Sequence, residues 1–240
     1  MNAKLINPLS VGSTFPLVHG TWWSYFLWIP TAALLGFALA AIFAGLLHLP
    51  RNIYLIPYVG LVSLFFYAFI RWSGLSVINL LRHNWYWGVI GAVLVGAFTV
   101  RNILSQPASA RAEGLPLVFE LLWVGVVYGL VDALLLSVLP VLATWQGFSV
   151  LGWTSSLLGK IFAGVIAILA SLFVTVVYHL GYPECRAVEG IAGPTIGNGA
   201  MTLGYVLANN PIAAIFSHIA MHVAGVLHGP ATVIQLPPHY

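Results

Sequence analysis

Between residues 115 and 145 the chain carries only two charged side chains, Glu120 and Asp132, in otherwise almost wholly apolar sequence. Runs of this kind recur along all 240 residues, of which 60% are hydrophobic and 5% charged. A soluble domain carries about 25% charged residues. A chain with so few cannot clothe a surface in water, so its solvent is lipid. Lipid leaves backbone groups no outside partner, which makes helices the spanning element. The fold class predicted is all-α, a polytopic transmembrane helical bundle.

Charges and turn residues divide the sequence into about seven spanning or re-entrant helices: residues 22–48, 53–72, 85–100, 115–145, 154–180, 194–208 and 211–228. Pro30 marks a kink in the first. The sixth is short and glycine-rich, which suits a re-entrant segment or one buried among other helices. The stretch SQPASARAEG is the best linker, and it separates residues 1–114 from 115–240. No internal repeat is evident. Trp22, Trp23, Trp28, Trp72, Trp85 and Trp87 fall near helix ends and read as an aromatic belt. Residues 1–20 lack the compact apolar core of a signal peptide and read as a retained segment at the interface. Seven spans place Lys4, Arg71, Arg82 and Lys160 on one side and Arg51, Arg101, Arg111 and Arg186 on the other. That balance chooses no orientation. The net charge of +3 comes from scattered residues with no basic run, so nucleic acid is not an expected partner. The single cysteine, Cys185, allows no internal disulfide and reads as an ordinary loop thiol.

Ionisable side chains at membrane depth are costly and ordinarily face a cavity or a partner. Glu120, His179, His218 and His222 stand out, with Asp132 a fifth. Glu120 lies about six residues, or ~9 Å, into its helix. The next helix returns antiparallel and ends near His179. His218 and His222 are one turn apart and share a stripe. On this geometry His222 comes nearest the level of Glu120, and His218 lies ~6 Å deeper. Asp132, ~18 Å along from Glu120, is expected near the opposite face and outside the shared site.

Two chemistries are open to one carboxylate with three imidazoles. Glu120 as base, with a histidine as proton carrier or oxyanion donor, would activate water for hydrolysis. Alternatively His179, His218 and His222 would bind a divalent metal. The plainer reading of each intramembrane histidine is a hydrogen bond to a neighbouring carbonyl, about as good a reading as either. His48, His83, His228 and His239, at helix ends or in the tail, favour it more strongly. HIAMH has His-x3-His spacing without the glutamate of HExxH, and GPTIGNG lacks the lysine of a phosphate loop.

The second half resembles the CPBP group, which comprises CAAX-type prenyl proteases and bacteriocin-processing or immunity proteins and is an intramembrane protease family of helical fold. FELLWVG shares the frame of the family's first motif, E-E-L-L-F-R-G; TVVYHLGY resembles its second; and the run through SHIAMH resembles its last, His-x3-Asn. The resemblance covers residues 115–228 and implies a peptidase centre at Glu120, His179, His218 and His222. Phe119 stands where the family has its water-activating glutamate, Val124 where it has arginine, Thr175 where it has phenylalanine, and His222 where it has asparagine. These departures keep other functions in view. One is a catalytically silent structural or binding subunit of a membrane complex; another is a protein holding metal, haem or pigment on its histidines. A transporter ranks below both, because no repeated halves are present. The expected partners are the bilayer, a membrane peptide and other membrane subunits. The expected location is a multi-pass position in a bacterial cytoplasmic membrane.

Overall fold

A backbone that satisfies itself segment by segment gives helices, and the described residues contain helices and turns with no strand. The computed structural model describes residues 20–238, with the backbone alone at 188 and 189. The interfacial reading of residues 1–20 therefore falls, but for Gly20, outside the described residues, as does His239. The helices are α1 (Trp22–Leu46), α2 (Arg51–Ser73), α3 (Val77–Arg82), α4 (Trp85–Leu104), α5 (Gly114–Val150), α6 (Leu157–His179), α7 (Val188–Ala208) and α8 (Ile212–His228). Ser76 and Ser156 cap α3 and α6, accepting from Asn79 N and Gly159 N.

Five of these, α1, α2, α4, α5 and α6, are long and apolar enough to cross a membrane, and α8 is a shorter apolar helix. The expected count of about seven spans is corrected accordingly. The helices fall where the sequence places them, but α7 and α8 do not qualify by length and composition. α7 carries Gly190, Gly193, Gly197, Gly199 and Gly204 together with Thr195, Asn198 and Thr202, which dilute its apolar character. It runs as one continuous helix through Pro194, so the re-entrant reading gives way to a helix packed against α4, α6 and α8.

Large aliphatic side chains point outward, among them Leu34, Leu64, Leu94, Leu158 and Leu207. The interior holds tyrosines and alanines: Tyr54, Tyr58, Tyr128, Tyr178, Ala32, Ala40, Ala163 and Ala167 are wholly buried. A surface more aliphatic than the core suits a lipid solvent and a multi-pass membrane protein. Two of the expected belt residues belong to this interior packing. Trp28 and Trp72 are half-buried, with ring centroids 5.6 Å apart, and Trp72 also packs on Tyr25. Trp22, Trp85 and Trp87 are exposed.

The central element is α5. Of its best apolar window 78% is buried, against 22–39% for the other four spans. It contains two π-helical stretches, Leu121–Tyr128 and Leu134–Val138. Each π turn takes an extra residue and rotates the face that follows. α8 lies antiparallel against it. A Cβ on Gly125 would stand 2.8 Å from Val223 Cγ2, and one on Gly129 3.0 Å from Ile219 Cα and 3.2 Å from His222 Cδ2. At Gly129 the obstacle is backbone, so a side chain there must push the helices apart. Gly129→Leu is expected to cost about 1–3 kcal/mol through overpacking. Gly60, with nothing within 4 Å, is the control: Gly60→Ala should leave stability unchanged or raise it by up to ~1 kcal/mol. Unfolding in mixed detergent micelles measures both.

Candidate functional site

Four helices bring polar side chains to one buried point. α5 supplies Tyr128 and Asp132, one turn apart; α6 supplies His179; α7 supplies Asn198; α8 supplies His218 and His222. They line a cavity of about 20 Å³ with Leu136, Gly193, Pro194, Gly197, Met201, Met221 and Gln235. A cavity needs roughly 10–15 Å³ to hold a water molecule, so this one admits a single water. Its ionisable walls are out of solvent: Asp132 is 4% exposed, His179 7%, and His218 and His222 1% each.

Hydrogen bonds fix how these groups present themselves. Asp132 Oδ1 accepts from Tyr58 Oη at 2.7 Å, and Oδ2 faces His222 Nε2 at 3.4 Å. A carboxylate only accepts, so Nε2 carries a proton, and in the neutral imidazole His222 Nδ1 keeps a lone pair. That Nδ1 is buried and has no partner among the described residues. The His222 ring packs on Tyr128 at a centroid distance of 4.6 Å. His179 Nδ1 donates to Thr175 O at 2.8 Å and His218 Nδ1 to Ala214 O at 3.0 Å. Carbonyl oxygens accept, which leaves Nε2 of both rings as acceptors. The plainer reading of these two histidines, a bond to their own helix backbone, is thus realised on one edge of each ring while the ring lines the cavity.

Two buried networks support this centre. Tyr128 Oη lies 3.1 Å from Tyr178 Oη, Tyr178 Oη 2.5 Å from Tyr182 Oη, and Tyr54 Oη 2.6 Å from Tyr182 Oη. Burial and the neighbouring phenols push the Tyr182 phenol well above the usual tyrosine range, so it stays protonated and can donate. The other network joins Ser137, Ser171, Thr175, Asn198 and Thr202 behind His179. Cys185 lies outside both. It is buried, and burial, with Glu184 adding to it, pushes the thiol up to about 12. The expected loop thiol is therefore an unreactive one.

His179, His218 and His222 come together as the sequence geometry places them, but Glu120 stands apart and Asp132 takes its place at the cavity. Glu120 is half-buried and near Arg51, and no hydrogen bond joins it to another described residue. The expectation misjudged depth. α5 runs from Gly114 to Val150, so Glu120 sits near its start, while α8 crosses it farther along. With Val223 opposite Gly125 and Ile219 opposite Gly129, Glu120 is level with position 228. That is about six residues, or ~9 Å, from the level of His222. Asp132, expected at the opposite face, stands within reach of His222. Among the described residues no group of three His, Cys, Asp or Glu side chains is arranged to hold a metal ion.

Four participants were not singled out from sequence. Tyr58 had a readable signal: Tyr54 with Tyr58, like Tyr178 with Tyr182, are one turn apart and mark a polar stripe, whereas Tyr128 had no such partner on its own helix. Asn198 sat within GPTIGNG, a segment read for its glycines. Gln235 carried no signal. Compared with protein-family models, with curated proteins and with solved structures, the chain has no match to any of them.

Proposed function

We propose that this chain is an integral membrane hydrolase, a peptidase resembling the CPBP type, in which Asp132 takes the carboxylate role that the motif frame gives to Glu120. What supports the reading is one arrangement: a carboxylate and three imidazoles converge on a buried cavity the size of one water. In the mechanism proposed, Asp132 holds His222 with its proton on Nε2, and His222 Nδ1 takes a proton from the attacking water. The water oxygen bonds to the peptide carbonyl carbon. The C–N bond then breaks, and the amine leaves with the proton held by His222. The water's second O–H donates to Nε2 of His179 or of His218, which orients it.

The cavity volume weighs against a haem or pigment site, since ligand pockets run to about 300 Å³ and more. A catalytically silent subunit is the second reading, favoured by the small cavity and by Val124, buried where the family has arginine. The experiment is reconstitution of the full chain in liposomes with a library of membrane-embedded and prenylated peptides, read by mass spectrometry. Cleavage at a defined bond is expected from the wild type and not from His218→Ala. A folded protein that cleaves no member of the library overturns the hydrolase reading and leaves the silent one.

A further inference from the structure

The cavity walls come from four helices with one exception, Gln235, which belongs to residues 229–238 beyond α8. This segment crosses back over the ends of α8 and α4, and polar contacts to side chains and turn carbonyls hold it there. Gln106 is the main anchor. Its Nε2 donates to Gln235 Oε1 at 2.9 Å, its Oε1 accepts from Ile234 N at 3.2 Å, and its carbonyl accepts from His228 Nε2 at 2.8 Å. Arg51 Nη2 donates to Leu236 O and, at 3.3 Å, to Pro238 O, and Thr232 Oγ1 donates to Pro107 O. Val233 and Leu236 are fully buried, and Leu236 lies against Gly225, where a Cβ would come within 2.8 Å of its Cδ1.

We propose that residues 229–238 are a strap that seals the Asp132 cavity and must lift to admit a substrate. The inference rests on the hydrolase reading for what is admitted, but not for the strap itself. The other walls are packed helices, and moving any of them would break the Tyr58–Asp132, His222–Asp132 or Asn198 bonds that shape the centre. The strap meets the cavity through one side chain and is pinned by Arg51, Asn102 and Gln106, none of which lines the cavity. Among the lining residues this is the one wall that is not part of a helix, and its bonds run to helix-end and turn groups outside the centre, so it can open locally while the four helices stay packed.

The test measures access chemically, apart from activity. Full-length protein in detergent is treated with diethyl pyrocarbonate, and acylation of His218 and His222 is followed by mass spectrometry against exposed His48. Arg51→Gln combined with Gln106→Ala is expected to speed acylation of both about tenfold, the population change that follows from losing a few ordinary hydrogen bonds. Buried Cys185 reports global unfolding: it must stay closed to maleimide. If the double variant fails that control, Gln235→Ala, which removes only the wall side chain, is read in its place. Acylation within about twofold of wild type in a folded variant overturns the strap. Faster acylation without peptide cleavage upholds the strap and counts against the hydrolase. Cleavage by the wild type with access unchanged in the variants upholds the hydrolase and removes the strap.

Discussion

Asp132→Asn is expected to lower the cleavage rate by on the order of 10³-fold while the protein stays folded. Asparagine has the same shape, and its Oδ1 still accepts from Tyr58 Oη. Its other side-chain atom becomes an amide nitrogen, which donates, facing His222 Nε2. Two donors cannot pair, so the imidazole proton moves to Nδ1 and Nε2 becomes the acceptor. The lone pair that takes the proton from water is then gone. Asp132→Ala makes a different lesion. It leaves Tyr58 Oη and His222 Nε2 without a partner in a buried site, at about 1–3 kcal/mol for each orphaned group. Loss of activity in the alanine variant alone therefore does not separate chemistry from folding. Glu120→Gln is expected to stay within roughly threefold of wild type, a change too small for removal of a catalytic group. The measurement is kcat for the three variants on the same reconstituted peptide. Activity that survives Asp132→Asn and disappears in Glu120→Gln would return the carboxylate role to Glu120.

The contrast between these two acids shows where sequence reasoning stopped. The helical class, the segment positions and the meeting of His179, His218 and His222 were legible, because apolar run length and one-turn spacing are local properties. The identity of the carboxylate was not. It depends on where α8 crosses α5, and that crossing is set by Gly125 and Gly129, two glycines among many in an apolar run. It depends also on the face each acid presents. In an ideal helix 100° per residue would set Glu120 and Asp132 about 120° apart. The π-helical stretch Leu121–Tyr128 lies between them and changes that angle. The pairing of Tyr58, on α2, with Asp132 was illegible for another reason: the bond spans 74 positions and leaves no pattern in either segment. The count of spans failed at α8, which is too short, and at α7, where the same glycines and polar residues that dilute its hydropathy pack it against its neighbours. A long-range bond and a buried polar face are invisible to a reading built on hydropathy.

That polar face of α7 carries the other large effect. Asn198→Leu is expected to destabilise the protein by about 2–3 kcal/mol in mixed-micelle unfolding. Asn198 is 4% exposed; its Oδ1 accepts from Ser137 Oγ at 2.7 Å, and its Nδ2 donates to Ser171 Oγ at 2.9 Å and Thr175 Oγ1 at 2.5 Å. Interhelical hydrogen bonds within membranes average only about 0.6 kcal/mol each, so the three together come to roughly 2 kcal/mol. The rest comes from hydroxyls left one bond short. Thr175 and Ser171 keep bonds to Ser171 O and Leu136 O respectively, and Ser137 keeps Thr202. That retained bonding holds the loss below the full cost of three orphaned groups. A triple variant adding Ser137→Ala and Ser171→Ala should recover about half of the loss, since it removes the groups left short of partners. Activity should fall further than stability predicts. Thr175, which accepts from Asn198, also offers the carbonyl that orients His179. A leucine at 198 frees that residue's side chain and crowds the cavity it lines. An Asn198→Leu protein with wild-type stability would mean the five-residue network does not hold α7 in place. The helix would then owe its position to its contacts with α4, α6 and α8.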